Sequence, residues 1–438
     1  MSAKARTDIS TVNPRSIGID VHQNKLVACF VHVEDIGQGK EQQTKEFKTT
    51  TATEAGRKEL IDWCAERRPD VVIMESTGIF WKALYREMEE VGLKPELINA
   101  AHHKRNCEGR KTDAGDALWL ASLARLGLYQ ASFIPPEPFR SLRLVVMEYR
   151  KLIQERARTK NRLVKILDDS GFRFTAVFAQ IDGASSMGIL RAILRGEQGE
   201  TLLQYVHQFC KKPKEEILQA VTGKLSEINR VLVEHHLDSL EYQTKQIQSL
   251  ESLMDQALKP YEKQMKLLQS LPGIDKRGAQ AILSYLTHEP QKYFRNYHAL
   301  SRWLAVCPGN NESAGKIKSG KTPHGNRLIR ALLLQFANAA ARAKGTYFAQ
   351  FYGRLRYKGH NKAMVAVAHK QIKLVYLILA RGKSYRDKLY DYQAAIVRKK
   401  RPRWIRLLIQ EGYLPADIVQ LPNAATGVND CIVIEPGV

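Results

Sequence analysis

The first third of the chain alternates short apolar, β-branched runs with amphipathic stretches, the pattern of strands and helices in alternation. Ile17-Gly18-Ile19 and Val71-Val72-Ile73-Met74 are strand-like runs that end where polar residues begin. The spacing predicts strands at 16–22 and 25–33 forming a hairpin, a strand at 44–49 and a helix near 54–67. A strand at 70–75, a helix near 80–91 and a strand at 94–99 follow. Leu118, Leu120, Leu123 and Leu126 then mark an amphipathic helix. These elements make residues 14–135 an α/β domain with a mixed sheet. The proline-rich stretch FIPPEPFRSLR ends it, because prolines cannot continue a helix.

Two long charged segments with spaced apolar residues come next, at 139–171 and 223–259. In the second, Leu225, Ile228, Leu232, Leu240, Ile247, Leu250, Met254 and Leu258 form an imperfect coiled-coil or hairpin seam. Residues 139–260 are therefore a helical region, which fits either a dimerising arm or spacer, or an ordinary helical bundle. The stretch 172–222 between the two segments is also expected to be helical. Residues 261–395 form a third, mainly helical part, and 396–438 a basic segment with a peripheral tail.

The chain of 438 residues carries 68 Lys and Arg against 45 Asp and Glu, a net charge of +23. That excess favours a polyanionic partner such as nucleic acid over a small substrate. No run of 18 or more apolar residues is evident, so no membrane span is expected. The N-terminal segment lacks the apolar core of a secretory signal, and the six cysteines show no metal-ligand spacing. The expectation is a cytoplasmic protein of prokaryotic type, associated with the nucleoid, with reduced thiols.

Four carboxylates then become the chief chemical candidates: Asp20, Glu75, Asp113 and Asp116. Asp20 and Glu75 lie at strand ends. Asp113 and Asp116, three apart, share one face near a helix N-terminus, where negative charge is favoured. Singly, each reads equally as a turn residue, a solvated strand end or a helix cap. Together they could converge on divalent metal, since hard oxygen ligands suit Mg²⁺ and phosphodiester chemistry uses such clusters.

In the third part, Leu271-Pro-Gly-Ile274 followed by Gly278 has the form of a helix-hairpin-helix, although such a turn also serves as a plain connector between helices. Gly273 supplies the turn, and Lys276 and Arg277 stand beside a helix N-terminus suited to a phosphate. Pro308 to Gly325 reads as a flexible basic loop with Lys316, Lys318 and Lys321, leading into a helix from about Asn326 that carries Arg327 and Arg330. Its GKIKSGKT hints at a phosphate-binding P-loop, but the upstream glycine is misplaced and no apolar strand leads into it. An NTPase is excluded.

The ordered set GIDVHQNK, MESTG, KTDAGDA, LPGI and PGNNESAGKIKSGKT resembles the DEDD insertion-sequence transposases, a family of RNA-guided DNA recombinases. The resemblance covers roughly residues 14 to 385. It implies an RNase H-like, RuvC-type nuclease domain, a helical coiled-coil region, and a C-terminal transposase domain with a helix-hairpin-helix and a nucleophilic serine. By that resemblance Asp20, Glu75, Asp113 and Asp116 are the tetrad that binds Mg²⁺ or Mn²⁺. Ser313 matches the serine that attacks DNA, with Ser319 the rival. The resemblance further implies donor and target DNA, a structured non-coding guide RNA, and self-association as a dimer or tetramer in which acids of one protomer meet the serine of another. The alternatives are a structure-specific nuclease of junction-resolvase type, using water, and a noncatalytic RNA or DNA scaffold.

Overall fold

The computed structural model describes residues 11–35, 41–76, 78–99, 112–309, 311–313, 316–323 and 325–387, with 404, 407, 408 and 410–413 near the C-terminus. Most of the 396–438 segment, and Lys111 of the KTDAGDA motif, lie outside the described residues. The chain forms two compact units, residues 1–134 and 135–438.

In the first unit the strands are β1 (Arg15–Val21), β2 (Lys25–Asp35), β3 (Glu41–Thr51), β4 (Val71–Glu75) and β5 (Pro95–Ile98). The helices are α1 (Glu54–Glu66), α2 (Trp81–Glu90) and α3 (Asp113–Leu126). The sheet order is β3-β2-β1-β4-β5. β1, β2 and β3 are antiparallel neighbours, whereas β1, β4 and β5 run parallel. Strand alternation divides the core in two. Ile17, Ile19, Val72 and Met74 pack with Leu60 and Cys64 of α1 and Leu84 and Met88 of α2. The opposite face buries Val27, Cys29 and Val31 against Ala117 and Ala121 of α3, while Ile73 and Ile98 meet Leu120 and Ala124. This mixed sheet between helices, in a chain whose remainder is mostly helical, fits an RNase H-like domain joined to a helical region.

The second unit begins with α4 (Phe139–Asp169), followed by α5 (Phe174–Val177), α6 (Ala184–Leu194), α7 (Lys214–Ala220) and α8 (Glu227–Ala257). α4 and α8 lie antiparallel. Tyr149 donates to Glu251 at 3.1 Å, Gln243 to Thr159 at 3.3 Å, and Asn229 to Ser170 at 3.0 Å. The buried face of α8 is Val233, Leu237, Leu240, Ile247 and Met254. It differs from the expected seam: Ile228 is 74% exposed and Leu232 40% exposed. The reason is the 172–222 stretch, whose Phe172, Phe174, Ile189, Leu190 and Leu202 cover Val233, Leu237 and Leu240.

The unit continues with α9 (Glu262–Gln269), α10 (Lys276–Leu286) and α11 (Tyr297–Trp303). Then come strands β6 (Asn311–Ser313) and β7 (Lys316–Ser319), and helices α12 (Arg327–Arg342), α13 (Tyr347–Leu355) and α14 (His360–Arg381). α14 is the one described helix long and apolar enough to cross a membrane by length and composition. It packs against α9, α11, α12 and α13, burying Val367, Ala368, Ile372, Val375 and Ile378.

Candidate functional site

The parallel register of β1 and β4 sets Ile19 opposite Met74. Asp20 and Glu75 are the next residues of the two strands, and alternation turns both to the sheet face shared by Gly18 and Ile73. That face is covered by α3. Thr112 caps α3 by accepting the Gly115 N–H at 3.1 Å, so the first turn of the helix carries Asp113 and Asp116. Gly18 lets α3 come close: a β-carbon there would lie 2.2 Å from the Ala121 nitrogen.

Two further residues join the site, His22 in the β1–β2 turn and Lys25 at the start of β2, neither of them among the candidates drawn from the sequence. His22 Nε2 is 2.9 Å from Asp20 Oδ2 and 3.5 Å from Asp113 Oδ1. Lys25 forms an ion pair with Asp113. A signal existed for His22, which follows Asp20 by only two residues, just past the end of β1. Lys25 returns to the strand end because the His22 N–H bonds its carbonyl at 3.0 Å.

Among the described residues, Asp20, His22 and Asp113 each offer one ligand atom, all within 4.8 Å of one another. Glu75 and Asp116 lie outside this close group, although the Asp116 charge does act on Asp20. Burial raises the Asp20 carboxyl above the usual carboxylate range; His22 opposes the rise, and Asp113 and Asp116 add to it. Lys25 chiefly holds Asp113 below that range. The donor set of hard carboxylate oxygens with one imidazole fits a small divalent cation, which would relieve the mutual repulsion of these acids.

The remaining candidates lie in the second unit. Contrary to the flexible loop expected over Pro308 to Gly325, β6 and β7 form a short antiparallel hairpin with Ser313 paired to Lys316. Gly309 here serves a close backbone approach. The Gly309 N–H donates to the Lys321 carbonyl at 2.9 Å, and a β-carbon on Gly309 would come 2.6 Å from that oxygen. The side chains of Ser313, Lys316 and Lys318 are outside the described residues. The Ser319 hydroxyl accepts the Lys321 N–H at 3.2 Å, the bond of a turn serine. Lys321 and Arg327 are exposed and Arg330 half-buried; Asn326 caps α12 by accepting from Leu328 and Ile329.

The turn 271–274 is held rigidly between α9 and α10. Gly273 has φ +85°, and a β-carbon there would lie 2.4 Å from the Phe336 carbonyl oxygen. Gln371 donates to the Pro272 carbonyl at 2.9 Å. Asp275 caps α10 by accepting the Gly278 N–H at 2.7 Å. Lys276 bonds Asp255 at 2.7 Å, and Arg277 pairs with Glu251 and Asp255 at 3.0 and 3.1 Å. Contact of these two cations with a phosphate would therefore require opening ion pairs within the unit.

Comparison with known proteins places this arrangement. A transposase model of the DEDD type of IS110 elements matches residues 17–171, and the transposase family IS116/IS110/IS902 matches residues 265–353. The transposase for insertion sequence element IS1111A of Coxiella burnetii (strain RSA 493 / Nine Mile phase I) is 23% identical over 393 residues, spanning 84% of this chain and 91% of that protein. A probable family 20 transposase of Pseudomonas aeruginosa is 23% identical over 340 residues, spanning 75% of this chain and 90% of its own length. The Thermus thermophilus RuvC structure aligns with 27% of this chain and 99% of that one, at 16% identity and a TM-score of 0.22. The fold assignment rests on the strand order and not on that superposition.

The chain is a DNA transposase. More narrowly, it belongs to the IS110 family of DEDD transposases, a membership that implies a DNA substrate and the use of a divalent metal.

Proposed function

We propose that this transposase cuts and exchanges DNA strands through a covalent phosphoserine, with Asp20, Glu75, Asp113 and Asp116 holding Mg²⁺ or Mn²⁺ and Ser313 as the nucleophile. The observation that carries the metal-dependent part is the grouping of Asp20, His22 and Asp113 ligand atoms within 4.8 Å at a strand end beside a helix N-terminus. When bound, the metal supplies Lewis-acid stabilisation of charge on the phosphoryl oxygens. His22 orients the Asp20 and Asp113 carboxylates, and Lys25 neutralises part of their charge. Ser313 stands next to the tip of a basic hairpin, flanked in sequence by Lys316, Lys318 and Lys321 and by Arg327 and Arg330 of α12. These cations would stabilise the charged phosphoryl group.

In the chemical step the Ser313 Oγ–P bond forms and one P–O bond of the phosphodiester breaks. The departing nucleotide oxygen leaves as a hydroxyl, carrying the proton lost by serine. Attack of a hydroxyl of another strand on the phosphoserine forms a new phosphodiester as the Oγ–P bond breaks, the hydroxyl proton passing to the Ser313 oxygen, so the bond energy is conserved and no external energy source is needed. The acids and Ser313 belong to different domains, residues 14–135 and 261–395, and in this reading they meet across protomers of a dimer or tetramer. Sequence choice is delegated to a structured guide RNA, in keeping with the absence of a base-reading motif in the chain.

Purified protein, with the RNA that copurifies, Mg²⁺ and a nicked suicide DNA, tests this reading. Denaturation should leave DNA attached to wild-type protein and none attached to Ser313→Ala or Asp20→Ala. Cleavage by Ser313→Ala without an adduct would instead establish a nuclease that uses water.

A further inference from the structure

The chain from Ser313 to Arg386 holds sixteen Lys and Arg and no Asp or Glu. The cations of α12, α13 and α14 therefore have no carboxylate within their own stretch to pair with. Inside it, a single 3-10 turn, Arg356–Lys358, joins α13 to α14. Gly359, at φ +99°, closes that turn by donating its N–H to the Arg356 carbonyl at 3.0 Å. Tyr352 of α13 and His360 of α14 share a hydrogen bond of 3.0 Å across it, so both helix ends are tied together.

Tyr357 stands in the middle of this turn. Its side chain is 80% exposed, more than any other aromatic among the described residues. Arg356, Lys358 and Lys362 beside it are exposed too, and none of the three pairs with a carboxylate among the described residues. Lys358 Nζ lies 5.6 Å from the Tyr357 ring centroid, a contact that leaves the ammonium charged. An exposed ring set among unpaired cations is suited to a strand with unpaired bases: the ring stacks on a base, and the cations meet the phosphates on either side. In a duplex the base faces already lie against one another, so the ring would find no face to cover.

We infer that Tyr357, with Arg356, Lys358 and Lys362, forms a stacking site for an unpaired stretch of DNA. Charge complementarity argues for a polyanion, and the transposase family supplies DNA as that polyanion. The inference rests on that membership and not on the identity of the nucleophile or of the metal ligands. The site holds a strand that has left its complement.

Anisotropy of a labelled oligodeoxythymidylate with the full chain, across a salt series, tests the site without requiring cleavage. A DNA duplex and an oligouridylate of equal length run beside it. Tyr357→Ala should weaken binding of the single DNA strand about tenfold with the salt slope unchanged, the loss expected for one stacked base. Tyr357→Trp should retain wild-type binding. Arg356→Met with Lys358→Met should flatten the slope of log K against log salt by about 1.4, at about 0.7 for each phosphate of a single strand. Tyr357→Leu, which keeps bulk and removes the ring, carries the test if Tyr357→Ala does not fold. Unchanged affinity of the ring variants for the single DNA strand, an equal loss on the duplex, or a loss confined to oligouridylate would overturn the site. The Ser313 adduct assay reports separately, so failure of one reading leaves the other measurable.

Discussion

Gly18 lies so close beneath α3 that a β-carbon on it would stand 2.3 Å from the carbonyl oxygen of Ala117. That approach sets the height of the helix over β1 and so brings Asp113, one turn before Ala117, to the level of Asp20. The glycine thus links a packing requirement to the assembly of the acidic cluster.

Substituting Gly18→Ala should be costly for that reason. The obstacle is backbone, which cannot rotate away, so a loss of about 3 kcal/mol or more is expected from overpacking. Denaturant titration should show it, and Mn²⁺ binding should fall in the fraction that remains folded.

Asp20 offers a pH test. Its carboxyl is raised chiefly by burial, so between the ordinary carboxylate range and its own raised value the folded chain holds the extra proton. The contribution of this group to stability therefore falls as pH rises through that window and stays low above it. At neutral pH, without added metal, Asp20→Asn should melt above wild type. Mg²⁺ should raise the melting temperature of wild type and leave that of the variant nearly unchanged.

Lys25 competes with a cation for Asp113, since its ammonium pairs with that carboxylate. The pair is largely exposed, so its replacement should matter only modestly. Lys25→Met is expected to raise Mn²⁺ affinity about two- to fivefold in a titration followed by electron paramagnetic resonance.

The two faces of α8 should respond differently. Leu237 is wholly buried, and Leu237→Ala should cost about 2–5 kcal/mol. Ile228→Ser, at a solvent-facing position, should change stability by no more than about 0.5 kcal/mol. Equal losses from both in urea unfolding would mean that the exposed face is covered in solution.

Much of the first unit was legible because its signals are local. β1 and β4 announce themselves as apolar runs that stop at Asp20 and Glu75, and the Asp-x-x-Asp step of α3 needs only helical periodicity. His22 and Lys25 were not singled out because their importance depends on a tight turn folding back on a helix from elsewhere in the chain. The β6–β7 hairpin was hidden for a related reason. Its glycines suggest freedom, whereas in the fold Gly309 and Gly325 press against Lys321 and Ala305. On α8, heptad spacing cannot tell which stripe is buried when a distant segment, 172–222, supplies the cover. Roles such as that of Ser313 came from the family motif, since no local pattern distinguishes a nucleophilic serine from a turn serine.

The central claim is that Ser313 carries the DNA during exchange. Wild-type protein reacted with suicide DNA and Mg²⁺, digested by nuclease and protease, and read by tandem mass spectrometry tests it most directly. The account predicts a nucleotide phosphate on the peptide containing Ser313, absent when Asp20→Ala replaces wild type. A nucleotide on Ser319, or cut DNA with no modified serine at all, would contradict it.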